Sequence, residues 1–279
     1  MLHALKLGYR HIDGARIYGT EAAVAYAIRE SGVPREHIFL TTKLWNNAHH
    51  PEDVEKACDA SLKDLKTDYL DLYLMHWPSP FGRSDEMNPK DKNGNIIKGE
   101  TDYEDTWKAM EQLQKKGKVK AIGISNFSRS EVERLLQGAA TKPAVHQVEL
   151  HPYLQQKSFV DFHRQHDIHV TQYSPLGNKN DVYSKGQSMG QLIDDPVLVE
   201  IGKKHGKTGA QVALAWGIQS GHSVIPKSKT PKRIEENIDL PTLDQSDMQK
   251  IADMDRKLRF NDPSPRFGWS FYADLEGKQ

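Results

Sequence analysis

Four residues able to move or steer a proton lie in the first part of the chain: Asp13, Tyr18, Lys43 and His76. Taken singly, each has an ordinary reading: Asp13 a helix cap, Tyr18 a loop aromatic, Lys43 a solvated cation, His76 a hydrogen-bonded interior histidine. Together they carry more. A lysine that ends a strand facing a closed interior needs a counter-ion. Asp13, at the preceding strand end, is the one at hand. A phenol beside a buried ammonium has its pKa pulled below the usual ~10, because the neighbouring charge favours phenolate. That is what tyrosine requires as a general acid near neutrality. His76 beside it would donate to a carbonyl oxygen and orient it. The set suits proton delivery to a carbonyl that is receiving a hydride.

The elements that must position these residues are seven short β-branched or aromatic runs, each followed by a polar residue. They are Tyr9–Ile12 before Asp13, Ile38–Thr42 before Lys43, Tyr69–Met75 before His76, Val119–Ile124 before Ser125, Val145–Val148 before Glu149, Ile168–Gln172 before Tyr173, and Ser223–Ile225 before Pro226 and Lys227. Amphipathic stretches separate them: Glu21–Ser31, Pro51–Leu65, Tyr103–Lys115, Ser128–Gln137, Leu154–Gln165, Pro196–His205, Gly209–Gln219, Thr230–Asn237 and Asp244–Lys257. Ser128 and Thr230 read as side-chain caps. Alternating strands and helices with polar strand tips predict an α/β fold, a (β/α)8 TIM barrel whose site lies at the C-terminal strand ends. Such a barrel has eight strands, and seven runs are found. Residues 78–101 and 177–194 read as long loops on the active-site face. The aromatic tail from Arg259 to Gln279 reads as packed on the barrel near the site mouth.

At 279 residues the chain fits one barrel domain over 1–279, since such barrels take about 250 residues. Lys and Arg total 38 and Asp and Glu 38, so charge makes no case for nucleic acid or membrane partners. The lone Cys58 excludes an intramolecular disulfide and any Cys-rich metal cluster. The N-terminus lacks the apolar stretch of a signal peptide, so a cytoplasmic location is expected, with a monomer as the expected state. No G-x-G-x-x-G occurs, which leaves a Rossmann site unsupported. The segment Gly202–Thr208 approximates a P-loop but falls between helices and reads as a turn. His163, His166 and His169 read as surface histidines that do not converge on a metal.

The motifs GYRHIDGARIYGTE, FLTTKLWN, YLDLYLMHWP, AIGISNF, QVELHPY and VIPKSKTPKRIEEN, in this order, resemble the aldo-keto reductase superfamily. The resemblance implies a barrel that uses NADPH, with NADH the lesser alternative, to reduce aldehydes or ketones to alcohols or to run the reverse reaction. It makes Tyr18 the general acid, Lys43 with Asp13 its activators, and His76 the group that orients the carbonyl. It places Ser125, Asn126 and Gln147 on the nicotinamide carboxamide, Tyr173 against the nicotinamide ring, and Ser174 and Leu176 along the pyrophosphate. Lys227, Ser228 and Arg233 would hold the 2′-phosphate, with Glu236 and Asn237 at the adenine. A lysine, a serine and an arginine around a helix start suit a phosphate in their own right. Trp45 and Trp77 would wall the substrate pocket. KGETDYEDTWKAME and RFNDPSPRFGWSFYADLEGK resemble fungal members of the glycerol dehydrogenase and glyceraldehyde or aldose reductase type.

In that superfamily a hairpin and a first barrel strand precede the first helix, whereas here Met1 falls inside that helix. The expectation is a chain lacking its first barrel strand, with two unpaired sheet edges and reduced stability and activity. The rival expectation is a catalytically impaired cofactor-binding or regulatory protein of the same fold.

Overall fold

The computed structural model describes residues 1–177 and 192–277. Most of the expected loop over 177–194 therefore lies outside the described residues. Seven parallel strands form one sheet in chain order: β1 (His11–Asp13), β2 (Phe39–Leu44), β3 (Leu70–Met75), β4 (Val119–Ser125), β5 (Val145–Glu149), β6 (His169–Tyr173) and β7 (Ser223–Val224). Helices α1 (Leu2–Lys6), α2 (Glu21–Ser31), α3 (Pro51–Leu65), α4 (Tyr103–Lys115), α5 (Arg129–Gly138) and α6 (Lys157–Gln165) fall between strands or ahead of them. The chain divides into two compact units, Met1–His146 with Ser264–Ser270, and Gln147–Pro263 with Phe271–Gln279.

In the first unit, β3 is buried along its whole length and β2 after its first residue. Strands covered on both faces read as continuous apolar runs rather than alternating ones, as YLDLYLM does. The exceptions need partners. Asp71 within β3 accepts from the Leu40 amide at 3.0 Å and pairs with Arg35 at 2.8 Å and Lys120 at 3.0 Å. Register sets Thr41 opposite Leu72 and Lys43 opposite Leu74, so β2 and β3 end together. Gly123 in β4 admits no side chain, since a Cβ there would lie 2.5 Å from the Val145 carbonyl oxygen and 2.7 Å from Leu74 Cδ2. The α5 start is the anticipated capping box, with Ser128 and Glu131 bonding reciprocally to the backbone.

The second unit has an apolar core built from Leu198, Ile201, Val212, Trp216, Ile251 and Phe260 among others. Its helices include Pro196–His205 and Gly209–Gln219, and Gly206 and Thr208 between them form a C-cap and a capping box. The P-loop-like segment is therefore a helix–helix turn. Two helix boundaries and one cap depart clearly from the sequence reading. The α6 helix starts at Lys157, not Leu154, because Leu154 bridges His151 and Gln156 takes a left-handed φ of 45°. The helix expected to reach Lys257 stops at Ala252. Thr230 precedes Pro231–Glu236 but makes no side-chain cap; the Ser228 hydroxyl instead accepts the Thr230 amide at 3.1 Å.

Candidate active site

All four proton-handling residues lie in the first unit, at or just past strand ends. Asp13 closes β1, and Lys43 is the penultimate residue of β2, which runs two residues beyond the expected run Ile38–Thr42. Lys43 is fully buried, and its ammonium donates to the Asp13 carboxylate at 2.5 Å and the Gly14 carbonyl at 2.7 Å. Gly14 is itself held by its amide on the Thr41 carbonyl at 2.8 Å, which ties the post-β1 chain to β2. Tyr18 ends a single 3-10 turn, Arg16–Tyr18, closed by Gly19 in the left-handed region at φ 63°. A side chain is disfavoured in that conformation, which accounts for glycine after the tyrosine. Tyr18 is 53% exposed, so solvent reaches the residue that bears the hydroxyl. The Lys43 ammonium lies 5.5 Å from the centre of that ring, and the His76 ring meets it edge-on at 5.9 Å.

His76 follows β3 and is buried. Burial, the Lys43 charge and His49 hold its pKa well below 6.5. At neutral pH it is therefore an uncharged imidazole with one N–H to donate. The Asn126 amide donates to the His76 carbonyl at 3.0 Å and to the Ser125 hydroxyl at 3.0 Å, with Asn126 itself at φ 63°. The GISNF tip thus braces the histidine.

Around His76 stands an aromatic wall. Trp45 lies edge-on at 5.1 Å and Trp77 stacks at 6.3 Å. Phe267, from the tail segment Ser264–Phe267, contacts Trp45 at 6.3 Å, Trp77 at 5.8 Å and Phe81 at 5.2 Å. Phe81 and Phe267 are wall residues that the motifs did not single out. The tail's aromatic density was the available signal for Phe267. The loop over 78–101 is ordered against this wall: Trp45 Nε1 donates to the Met87 carbonyl at 2.6 Å, Phe81 bridges Lys98, and the Lys98 ammonium bonds the Gly268 carbonyl.

The second unit carries the other residues named for the cofactor. Gln147 is buried in β5, and Tyr173 ends β6 with its hydroxyl 3.4 Å from that of Tyr272. Ser174 follows at φ 49° and accepts from the Asn261 amide at 3.2 Å, while Leu176 packs on the unit's apolar core. Asn261 is placed by Glu149, which sequence reasoning noted only as a strand tip. That buried carboxylate accepts from the Phe260 amide at 2.6 Å, the Asn261 amide at 2.9 Å and His151 at 3.1 Å. Burial raises its pKa, but His151 and the other donors outweigh this and keep it lowered. Lys227 and Arg233 are exposed, and Ser228 lies between them in chain order. Glu236 pairs with Lys232 at 3.8 Å, and Asn237 caps the helix Pro231–Glu236. His163 is buried with Nδ1 on the Phe159 carbonyl at 2.6 Å, so it is a core histidine rather than the surface one expected. Its helical neighbour Phe162 and the apolar face of α6 draw it inward. Among the described residues no cluster of three or more His, Cys, Asp or Glu is arranged to hold a metal, and no helix is long and apolar enough to cross a membrane.

Comparison with known proteins gives this geometry a context. Residues 1–256 match the Aldo/keto reductase family. An uncharacterized oxidoreductase of Schizosaccharomyces pombe is 50% identical over 260 residues, which span 92% of this chain and 80% of the relative. Aldo-keto reductase family 1 member A1 of Xenopus tropicalis is 45% identical over 265 residues, 92% of this chain and 81% of its own. Among solved structures, the aldose reductase of Giardia lamblia superposes with a TM-score of 0.88 at 38% identity, covering 98% of this chain and 92% of that one. The aldose reductase of Schistosoma japonicum gives 0.88 at 36%, covering 97% and 88%. The fold is thus the aldose reductase-like (β/α)8 type, of which the described residues supply seven parallel strands. The chain belongs to the aldo/keto reductase family, whose oxidoreductase activity falls on small-molecule carbonyl substrates.

Proposed function

We propose that this protein is an NADPH-dependent reductase of small aldehydes, with ketones and the reverse alcohol oxidation within its range, and that Tyr18 is its general acid. The observation that carries the proposal is the fully buried Lys43, neutralised by Asp13 at 2.5 Å, with its ammonium 5.5 Å from the Tyr18 ring. An ammonium so placed favours the phenolate, which matches the tyrosine proton to work near neutrality. The donor set suits a nicotinamide dinucleotide. Ser125, Asn126 and Gln147 offer the hydroxyl and amide groups that a carboxamide needs, and Tyr173 a ring face. Ser174 and Leu176 would line the pyrophosphate, with Glu236 and Asn237 at the adenine. Exposed Lys227 and Arg233, with Ser228, offer charge-assisted bonds to a 2′-phosphate. When bound, NADPH supplies the hydride that reduces the carbonyl carbon.

The chain's own residues do the rest. His76, neutral, donates to the carbonyl oxygen and sets its direction. Tyr18 gives its hydroxyl proton to that oxygen, and Lys43 stabilises the phenolate left behind. Asp13 holds the Lys43 ammonium in place. Trp45 and Trp77, joined by Phe81 and Phe267, press an apolar chain against the site and exclude water. The relatives named as aldose reductases, with the fungal-type segments, favour small polyol–aldehyde pairs such as glycerol and glyceraldehyde or aldoses. We further propose that residues 1–279 work as one monomeric barrel domain in the cytoplasm. Steady-state NADPH oxidation over a panel of small aldehydes and sugars tests the proposal. Turnover with glyceraldehyde or an aldose is the supporting result, and NADPH binding without turnover of any carbonyl overturns it.

A further inference from the structure

We infer that Arg16, acting through Glu21, is a positioning residue for Tyr18. This rests on the reading of Tyr18 as the general acid. Arg16 opens the three-residue turn that Tyr18 closes. The turn's own backbone bonds are few, from the Tyr18 amide to Ala15 at 3.0 Å and from the Gly19 amide to Arg16 at 3.2 Å. Tyr18 is 53% exposed, so packing covers less than half of the residue. The Arg16 guanidinium supplies an anchor: Nη1 lies 2.7 Å from Glu21 Oε2 and 2.5 Å from Asp64 Oδ2. Glu21 is 3% exposed, and its other oxygen accepts the Thr42 hydroxyl at 2.8 Å. Thr42 is the residue before Lys43 in β2. A chain of polar contacts therefore runs from the turn that bears Tyr18, through a buried carboxylate, to the strand that bears Lys43. A buried carboxylate is costly to leave without its cation, so Glu21 holds Arg16 and with it the turn. Lys43 on Asp13 and Gly14 fixes the near side of the same segment. The two anchors together set the phenol-to-ammonium distance on which proton transfer depends.

The test is steady-state kinetics with NADPH and glyceraldehyde on Arg16→Met, Arg16→Lys and Thr42→Val, each assayed well below its own melting temperature. Misplacing a reacting group by a fraction of an ångström slows chemistry without weakening substrate binding, so Arg16→Met loses about tenfold in kcat with the aldehyde KM within about twofold. Arg16→Lys, which keeps the charge, recovers most of the loss. Thr42→Val, which preserves shape and removes one hydroxyl, falls in the same direction and decides the matter if Arg16→Met does not fold. A folded Arg16→Met or Thr42→Val with wild-type kcat overturns the inference, because a merely structural network moves the melting temperature alone. Tyr18→Phe, measured alongside, separates the layers. If it retains turnover, the reading of the site fails. If it loses turnover while Arg16→Met keeps it, only the positioning inference fails.

Discussion

Replacing Lys43 with Met leaves the Asp13 carboxylate, 9% exposed, without the cation that now sits 2.5 Å away, and leaves the Gly14 carbonyl without its 2.7 Å donor. Removing one partner of a buried pair costs about 3–5 kcal/mol, most of it the penalty of the charge left behind. For a chain of this size that is on the order of 10 °C in melting temperature. The second substitution makes the argument sharp. Asp13→Asn added to Lys43→Met removes the stranded charge, so the double variant is more stable than Lys43→Met alone. Urea denaturation of wild type, both single variants and the double completes the cycle. A Lys43→Met variant within about 1 kcal/mol of wild type, or a double variant no more stable than that single one, refutes the account of Lys43 as a buried ammonium that depends on Asp13. In activity both Lys43 variants fall together, since the added Asp13→Asn change removes the stranded charge but does not restore the cation beside Tyr18.

The buried His49 offers a pH test of the fold: burial lowers its pKa to about 3, and neither ring nitrogen has a hydrogen-bond partner. Its folded pKa lies below the unfolded value near 6.5, so the unfolded chain takes the proton first. The stability it contributes is full above pH ~6.5 and is lost as the pH falls toward 3, about 4–5 kcal/mol in all. His49→Leu accordingly flattens the fall in urea midpoint between pH 6 and 4, and an unchanged slope contradicts the assignment. Phe267→Ala removes the tail's contacts to Trp45, Trp77 and Phe81, so residues 264–270 become the first site of limited proteolysis and KM shifts most for bulky aldehydes; an unchanged digest argues against that docking. Lys227→Met and Arg233→Met each raise the NADPH KM by about tenfold and leave the NADH KM nearly unchanged, as loss of a phosphate contact requires. Equal effects on both nucleotides, or a wild-type preference for NADH, contradict the 2′-phosphate assignment.

β3 was legible because a parallel strand covered on both faces leaves a nearly continuous apolar run, and the other runs by their β-branched and aromatic residues; all seven lie within a residue or two of β1 to β7. The link between Asp13 and Lys43 was legible for a different reason, since an interior lysine demands a counter-ion and only one lay at an adjacent strand tip. What escaped depends on distance in space. Arg16 meets Asp64 across 48 residues, and Phe260 meets Glu149 across 111, with no local pattern to reveal either. The late start of α6 escaped because apolar Leu154 keeps helical spacing while its backbone bridges His151. Thr230-Pro231 has the form of a capped start, yet Ser228 two residues earlier takes the amide and closes the turn. The tail's aromatics announced packing near the site mouth, but not which residues they would meet. Phe267 could be assigned to the wall of Trp45 and Trp77 only once the chain was folded.

Everything proposed for the site turns on Tyr18 as the proton donor. Tyr18→Phe removes one oxygen from a residue that is 53% exposed, so the fold and melting temperature should be unchanged. The decisive measurement is its kcat with glyceraldehyde beside its NADPH dissociation constant from fluorescence quenching. The expected result is a loss of turnover of at least about a hundredfold, the scale of a missing general acid, with nucleotide affinity intact. A Tyr18→Phe enzyme that still reduces the aldehyde at a rate close to wild type contradicts it.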